Sequence, residues 1–127
     1  MAGKVADASV LAALVFREPL AEEAAALIQD VELLEPHLLA YELANTARKK
    51  ILKEPQQRQF IVRGLGLVLG MNVRWVDVDH FAVLKLAIDT GLTTYDASYL
   101  YVANTQRVPL LTFDRRLKAV MENLGFV

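Results

Sequence analysis

Residues 93–117 read TTYDASYLYVANTQRVPLLTFDRRL, and their order of apolar and acidic positions indicates the architecture of the whole chain. Asp96 opens an apolar helical run, whereas Asp114 follows the buried-strand run of residues 108–112 and begins a second helix. A third junction lies near the amino end, where Asp7 follows a short apolar strand and precedes a helix. The carboxyl ends of strands and the amino ends of helices share one rim of an α/β sheet, and ligands bind at that rim. The pattern therefore predicts that these aspartates face a common cleft.

Short apolar strands alternate with helices along the chain. Strands are predicted over residues 4–8, 31–34, 73–76 and 108–112, with a final edge strand over residues 124–127. Helices are predicted over residues 9–16, 20–28, 36–53, 56–69 and 78–88, and onward from Asp96 and Asp114. Strands separated by helices imply a largely parallel sheet. The expected fold class is α/β, a three-layer α/β/α sandwich with a mainly parallel central sheet.

The composition is that of one domain, predicted to span residues 1–127. The hydrophobic fraction of 54% exceeds the usual ~45–50%, which leaves apolar surface for a partner chain. Because the chain has no cysteine, disulfides and thiolate metal sites are excluded, and a cytoplasmic location is expected. We expect no membrane partner, since no apolar run approaches the ~20 residues that span a bilayer. A net charge of −1 means that nucleic acid would need a local basic patch.

A fourth carboxylate is expected at the same cleft. Glu42 lies on the helix that begins near residue 36, about 100° round from Leu43 on its apolar stripe, and can lean toward the rim. Asn45 lies one turn further along the same face. Four carboxylates without a counter-cation would repel and raise one another's pKa. Their hard oxygens suit Mg²⁺ or Mn²⁺, and such an ion with open water positions is the usual apparatus for phosphodiester hydrolysis.

The ordered set of motifs resembles a PIN domain, and among PIN domains the VapC-type toxins of prokaryotic toxin–antitoxin pairs. The motifs are Asp7-x-Ser9, Glu42-x-x-Asn45, Asp96-x-x-Tyr99 and Leu110-Leu111-Thr112-x-Asp114. The resemblance covers residues 4–127. It implies a metal-dependent endoribonuclease whose acidic pocket consists of Asp7, Glu42, Asp96 and Asp114, with Ser9 and Thr112 as hydrogen-bonding supports. Some members carry a further acid after the last one, whereas Arg115 and Arg116 follow here, so a second tightly held metal is not implied.

Each of these residues has a plainer interpretation. Asp7, Asp96 and Asp114 are all suited to capping helices, and Asn45 is as compatible with facing solvent as with orienting a carboxylate. Tyr99 is expected to serve mainly in packing. Basic residues near the pocket either face solvent or steer a phosphate backbone, namely Arg48, Lys49, Arg115 and Arg116. Two other functions stay open, a PIN-like binding partner without catalysis and a phosphoacceptor module. The latter lacks its expected acid pair and lysine.

Three partners are expected. The first is the RNA substrate. A homodimer is predicted from the apolar surplus and from the segment that contains Phe60, Ile61, Leu65, Val68 and Leu69. The resemblance to the toxins also implies that an antitoxin protein is possible.

Overall fold

The computed structural model describes residues 2–125, which contain four strands and seven α-helices. The strands are β1 (Ala2–Ala6), β2 (Val31–Pro36), β3 (Val73–Val76) and β4 (Leu110–Leu111). The helices are α1 (Ala8–Val15), α2 (Ala21–Ile28), α3 (Leu38–Lys53), α4 (Arg58–Leu69), α5 (His80–Thr90), α6 (Thr94–Gln106) and α7 (Arg115–Asn123). A single 3₁₀ turn, Pro55–Gln57, precedes α4.

All four strands run parallel in the order β3-β2-β1-β4. β1 therefore lies inside the sheet, where Val5 pairs with Leu110 of β4 on one side and Lys4 with Leu33 of β2 on the other. Because the strands are parallel, their carboxyl ends meet at one rim, as the sequence predicted. The expected three-layer α/β sandwich with a mainly parallel sheet is confirmed.

Helices cover the sheet and bury the carboxyl-terminal half of the interior strand β1. Val5 and Ala6 of β1 are both 0% exposed, although successive strand residues point to opposite faces. α3 packs through the predicted stripe of Leu39, Leu43 and Ala47, whose burial is nearly complete. α6 is apolar over most of its surface because it packs against β1, β2, β4 and α5. This central position of α6 brings its polar residues to the rim.

The bounds of three strands differ from the prediction. β1 begins at Ala2 rather than at residue 4, and β4 covers Leu110–Leu111 rather than residues 108–112. Two further changes, at the ends of β1 and β2, affect the rim. β1 ends at Ala6 rather than at residue 8, because the Asp7 side chain already caps α1. β2 continues to Pro36 rather than ending at residue 34, which places Glu35 inside the sheet. The edge strand predicted over residues 124–127 falls partly outside the described residues, and Leu124 and Gly125 lie in a turn.

The segment from which dimerisation was predicted is largely part of the monomer core. Ile61 and Val68 are 4% and 1% exposed, and Phe60 and Leu65 pack against the same core. Gly64 allows this packing, because a Cβ at that position would lie 2.6 Å from the Val15 carbonyl oxygen of α1. None of the helices in residues 2–125 combines the length and the apolar character needed to cross a bilayer.

Candidate active site

Asp7 lies where β1 passes into α1 and is held by backbone donors. Its Oδ1 accepts hydrogen bonds from the Ser9 N–H at 3.0 Å and the Val10 N–H at 3.3 Å, which is the geometry of an N-cap. The residue is 4% exposed. Asp7 therefore caps α1, as its plainer interpretation predicted. This capping also fixes the Asp7 carboxylate at the rim.

Two hydroxyl groups hold Asp7 against the next junction along the rim. The Ser9 hydroxyl donates to Asp7 Oδ1 at 2.6 Å and accepts from the Phe113 N–H at 3.0 Å. The Thr112 hydroxyl donates to Asp7 Oδ2 at 2.5 Å and accepts from the Asp114 N–H at 2.9 Å. Each hydroxyl therefore connects the β1–α1 junction to the segment between β4 and α7. The hydrogen bonds predicted for Ser9 and Thr112 are present.

Glu42 faces the same cleft from α3 and is held by a tyrosine of α6. The Tyr99 hydroxyl, on a side chain 1% exposed, donates to Glu42 Oε1 at 2.5 Å. Tyr99 was predicted to serve mainly in packing. Its position three residues after Asp96, and so one helical turn away on the same face, was the sequence feature that linked it to the acids.

Asp96 is the third residue of α6 and does not cap that helix. Thr93 is the cap, since its hydroxyl accepts from the Asp96 N–H at 3.1 Å. Within residues 2–125 the half-buried Asp96 carboxylate accepts no hydrogen bond, which leaves both of its oxygens free. Arg116, whose guanidinium donates to the Gly91 carbonyl oxygen, lies near enough to Asp96 to act on its pKa.

Asp114 caps α7, as predicted, through a single oxygen. Its Oδ1 accepts from the Leu117 N–H at 2.9 Å, and its Oδ2 is not used by any donor in the described residues. The side chain is exposed at the rim. Capping and ligand binding can therefore coexist through different oxygens of the same carboxylate.

The four carboxylates act on one another electrostatically. Burial is the main cause of the raised pKa of Asp7, and the hydrogen bonds from Ser9 and Thr112 oppose it. The pKa of Glu42 is raised by burial and by the charges of Asp96 and Asp7, whereas the Tyr99 hydrogen bond lowers it. The pKa of Asp96 is raised by burial and then by Asp114 and Asp7, while Arg116 lowers it. The pocket therefore concentrates negative charge that a cation would relieve.

The donor chemistry of the pocket fits a hard divalent cation. Free carboxylate oxygens remain on Glu42, Asp96 and Asp114, and carboxylate oxygen is the ligand type that Mg²⁺ and Mn²⁺ prefer. Across residues 2–125, no three Asp, Glu or His side chains converge closely enough, as placed, to ligate one ion together. Mg²⁺ usually keeps several waters and uses one or two carboxylates directly, so this spacing is compatible with binding.

Several predicted residues lie away from these contacts. Asn45 is exposed, and within residues 2–125 it donates no hydrogen bond to a carboxylate, so the structure favours its solvent-facing interpretation. Arg48 and Lys49 are exposed on α3, and no ion pair joins them to the acids in that part of the chain. Arg115 is exposed at the start of α7. Of the four basic candidates, Arg116 alone acts on a pocket acid there.

Glu35 is a fifth carboxyl group that the sequence prediction missed. It lies near the carboxyl end of β2, is 0% exposed, and its Oε2 accepts from the Ala6 N–H at 2.8 Å. Its Oε1 has no hydrogen-bond partner among the described residues. Burial raises the pKa of Glu35 well above its ordinary value, and the charge of Asp7 adds to this effect. The indication in the sequence was that Glu35 directly follows the apolar pair Leu33-Leu34 at the end of a predicted strand.

These features define an α/β protein of three layers with an acidic cleft at the carboxyl rim of a parallel sheet. A sequence model described as PIN domain matches residues 4–123, and the chain belongs to the PIN domain family. A curated relative from Pyrobaculum aerophilum, Ribonuclease VapC3, is 36% identical over 121 residues, covering 89% of this chain and 90% of the relative. A second from the same organism, Exonuclease VapC9, is 37% identical over 83 residues, covering 65% and 62%.

Solved structures agree with this assignment. PAE2754 from Pyrobaculum aerophilum is 30% identical, with a TM-score of 0.77 over 94% of this chain and 84% of that one. Mycobacterium tuberculosis VapC20, described as a sarcin-ricin loop cleaving toxin, has a TM-score of 0.70 over 98% of this chain and 96% of its own. It is 17% identical, so this match shows the fold alone. The predicted resemblance to VapC-type PIN domains is confirmed.

Proposed function

We propose that the protein is an endoribonuclease that hydrolyses RNA phosphodiester bonds with the help of bound Mg²⁺ or Mn²⁺. The observation that carries the proposal is the cluster of Asp7, Glu42, Asp96 and Asp114, in which burial, and then the charges of neighbouring acids, raise the pKa values of Glu42 and Asp96. The relative named Ribonuclease VapC3, which matches over nearly its whole length, supports RNA as the substrate. We expect a ribonuclease of this kind to act in the cytoplasm.

The proposed roles of the residues follow from how each is held. Asp7 is the fixed ligand, because four donors from Ser9, Val10 and Thr112 orient both of its oxygens. Glu42, Asp96 and Asp114 complete the ligand set through their free oxygens. When bound, the ion polarises the phosphate and lowers the pKa of the attacking water. Tyr99 keeps Glu42 ionised by donating to its carboxylate, since that hydrogen bond lowers the Glu42 pKa. Arg116 adds positive charge beside Asp96, where a phosphate would lie.

The test is cleavage of a circular single-stranded RNA, which has no ends for an exonuclease. The purified protein should cut the circle with Mg²⁺ or Mn²⁺ and should fail in EDTA. Asp7→Asn, Glu42→Gln and Asp96→Asn should each lower the rate roughly 100-fold or more, because each removes a ligand of the ion. Asp114→Asn should lower the rate less than the other substitutions if Asp114 contacts the ion through a bound water.

Asp79→Asn provides the matched control. Asp79 caps α5 through the Phe81 and Ala82 N–H groups, much as Asp7 caps α1, but it is exposed and outside the cluster. This variant should cut at the wild-type rate. Cleavage that persists in EDTA would contradict the metal mechanism. Binding of RNA without any cleavage would favour the alternative of a PIN-fold binding partner, and degradation of linear RNA alone would indicate an exonuclease, the activity named for the second relative.

The proposed biological role is that of the toxin in a type II toxin–antitoxin pair. It is supported by the likeness to relatives named VapC. Expression of the wild-type chain in a bacterial host should arrest growth, and Asp96→Asn should not. Co-expression of the protein encoded next to this gene should restore growth. Arrest by the Asp96→Asn variant would separate toxicity from the acidic pocket.

A homodimer is proposed through α5 rather than through the segment of residues 60–69. Phe81, Leu84 and Ile88 recur at helical spacing on α5 and are 86%, 49% and 73% exposed, which leaves a continuous apolar stripe. Light scattering at micromolar concentration should report a dimer for the wild type and a monomer for Ile88→Lys. Val62→Lys is the control, since Val62 is a 53% exposed apolar residue on α4. A wild-type monomer would refute the proposal.

A further inference from the structure

A second cleft opens on the same rim as the acids, at the carboxyl ends of β2 and β3. It has a volume of about 490 Å³ and lies between the amino ends of α3, α5 and α6. Its polar lining residues are His37, Asp77, His80, Thr94, Tyr95 and Ser98. The volume falls within the range of clefts that bind small molecules. None of these residues belongs to the acidic cluster.

The cleft and the acidic pocket are neighbours on the same rim of the sheet. The sheet order β3-β2-β1-β4 puts Asp7 and Asp114 beyond the ends of β1 and β4, and the cleft at the ends of β2 and β3. The centres of the two strand pairs are two strand spacings apart, roughly 10 Å. Tyr95 of the cleft immediately precedes Asp96. A nucleotide that is bonded to the phosphate at the acids can therefore place its base in the cleft.

The cleft offers flat surfaces on which a base can stack. The His37 ring is stacked on Trp75, with ring centroids 5.7 Å apart and an interplanar angle of 16°, so one face of the imidazole is covered. The His37 side chain is nevertheless 60% exposed, which leaves its other face open. Tyr95 is 59% exposed on the opposite element, α6. Single-stranded RNA is commonly bound by stacking of unpaired bases on Tyr and His side chains.

Asp77 provides the hydrogen-bonding group. Its Oδ1 lies 3.3 Å from His37 Nε2, which orients the carboxylate, while its side chain is fully exposed. Oδ2 is not engaged by any donor in residues 2–125. A carboxylate oxygen accepts hydrogen bonds and cannot donate, so it favours a base that presents an exocyclic amino group. Adenine, cytosine and guanine carry such a group. The donor on the pairing edge of uracil is N3–H, which lies between two carbonyl oxygens that the charge would repel.

We propose that the cleft formed by His37, Asp77 and Tyr95 binds a nucleobase beside the phosphodiester that is cut and discriminates against uracil at that position. The proposal rests on the proposed ribonuclease function for its role in cleavage. Its binding component is independent of catalysis. The two can therefore be tested separately.

The binding test uses Asp96→Asn protein, which cannot cut, and fluorescein-labelled octamers of adenylate, cytidylate and uridylate. Anisotropy should show the uridylate octamer bound about tenfold more weakly, as expected for loss of a hydrogen bond to a charged group. Adding Asp77→Asn should reduce that difference to about twofold, because an amide can donate to a uracil carbonyl. Adding Tyr95→Ala should weaken all octamers by about fivefold or more through loss of stacking.

The cleavage test uses a pool of short RNAs with randomised positions and reads the ends of the products. Wild-type protein should leave uridine under-represented about tenfold at one fixed position beside the cut, and Asp77→Asn should remove that bias. The control is Asp79→Asn, an exposed acid two residues away that does not line the cleft. It should keep the bias. Asp77→Asn, Tyr95→Ala and Asp79→Asn should leave the melting temperature of their parent protein unchanged, since these three side chains are exposed.

The outcomes separate the two proposals. If the wild type does not cut RNA but octamer binding depends on Asp77 and Tyr95, the ribonuclease proposal fails and the base site stands. If cutting depends on the four acids while Asp77→Asn and Tyr95→Ala change neither affinity nor product ends, the base site is refuted. The base site is also refuted if Asp77→Asn and Tyr95→Ala weaken the binding of a protein partner but leave RNA binding unchanged.

Discussion

Glu35→Gln should make the protein progressively more stable than wild type as the pH rises. The buried Glu35 carboxyl has a folded pKa well above its ordinary value of 4.5, mainly because burial disfavours its charge. The folded state therefore retains a proton that the unfolded chain releases, and the free energy of unfolding falls as the pH rises above 4.5. Glutamine has no proton to retain. It still accepts the Ala6 N–H hydrogen bond through its amide oxygen.

The size of the effect follows from linkage. Between the unfolded pKa near 4.5 and the raised folded pKa, the wild type loses about 1.4 kcal/mol of stability per pH unit relative to the variant. Above the folded pKa the difference becomes constant. Asp7, Glu42 and Asp96 titrate in both proteins, so subtracting one curve from the other removes most of their contribution. The length of the sloping region then gives the folded pKa of Glu35.

The assay is urea unfolding followed by circular dichroism from pH 4.5 to 8, in EDTA so that no metal contributes. Glu32→Gln, on the same strand but with a partly exposed side chain, is the control substitution. Glu35→Leu should be about 1–3 kcal/mol less stable than Glu35→Gln at every pH, because it leaves the buried Ala6 N–H unpaired. A flat difference between Glu35→Gln and wild type would refute the reasoning.

Three further predictions concern the acidic pocket and the packing of α4 against α1. Asp96→Asn should melt at a higher temperature than wild type in EDTA, because it relieves repulsion from Asp114 and Asp7. Its melting temperature should rise less on addition of Mg²⁺. A variant that melts lower in EDTA, yet is stabilised by Mg²⁺ as much as wild type, would contradict this. Gly64→Ala should lose about 1–3 kcal/mol in urea unfolding through its clash with α1, whereas Gly66→Ala, with open space around it, should gain up to about 1 kcal/mol. Tyr99→Phe should raise the pKa of Glu42, so that stabilisation by Mg²⁺ begins at higher pH than in wild type; an unchanged onset would exclude this role.

The order of the elements could be predicted because their patterns are local. The stripe of Leu39, Leu43 and Ala47 and the breaks at proline are present in short windows of sequence, and they correctly predicted α3 and its neighbours. Strand ends were predicted less well, since they depend on contacts between distant residues. β2 extends to Pro36 because Glu35 and Pro36 pair with Trp75 and Val76 of β3, which lie far away in the sequence. No local pattern contains that pairing.

The candidate site was predictable in its acids and less so in their partners. Asp7 and Asp114 were identified because strand-to-helix junctions have a recognisable pattern and share a rim. Asp96 was expected to cap α6, but Thr93, three residues earlier, provides the cap because its hydroxyl accepts the Asp96 N–H. Tyr99 was assigned to packing, since a buried tyrosine looks apolar until its hydroxyl partner on another helix is known. The positions of the acids could be predicted from short stretches of sequence. The hydrogen bond between Glu42 and Tyr99 could not, because these two residues are distant in the sequence.

The way in which the acids are held divides the pocket into a rigid side and an adaptable side. Asp7 has both oxygens engaged by donors from two different junctions, so its position is determined by the fold itself. Asp96, by contrast, accepts no hydrogen bond in residues 2–125, and its position on the first turn of α6 leaves its rotamer free. A cation can therefore bind against the fixed Asp7 and draw the free Asp96 carboxylate toward itself without disturbing the sheet. This division is compatible with the proposed metal site although no three acids of residues 2–125 converge, because Mg²⁺ keeps several waters and uses one or two carboxylates directly.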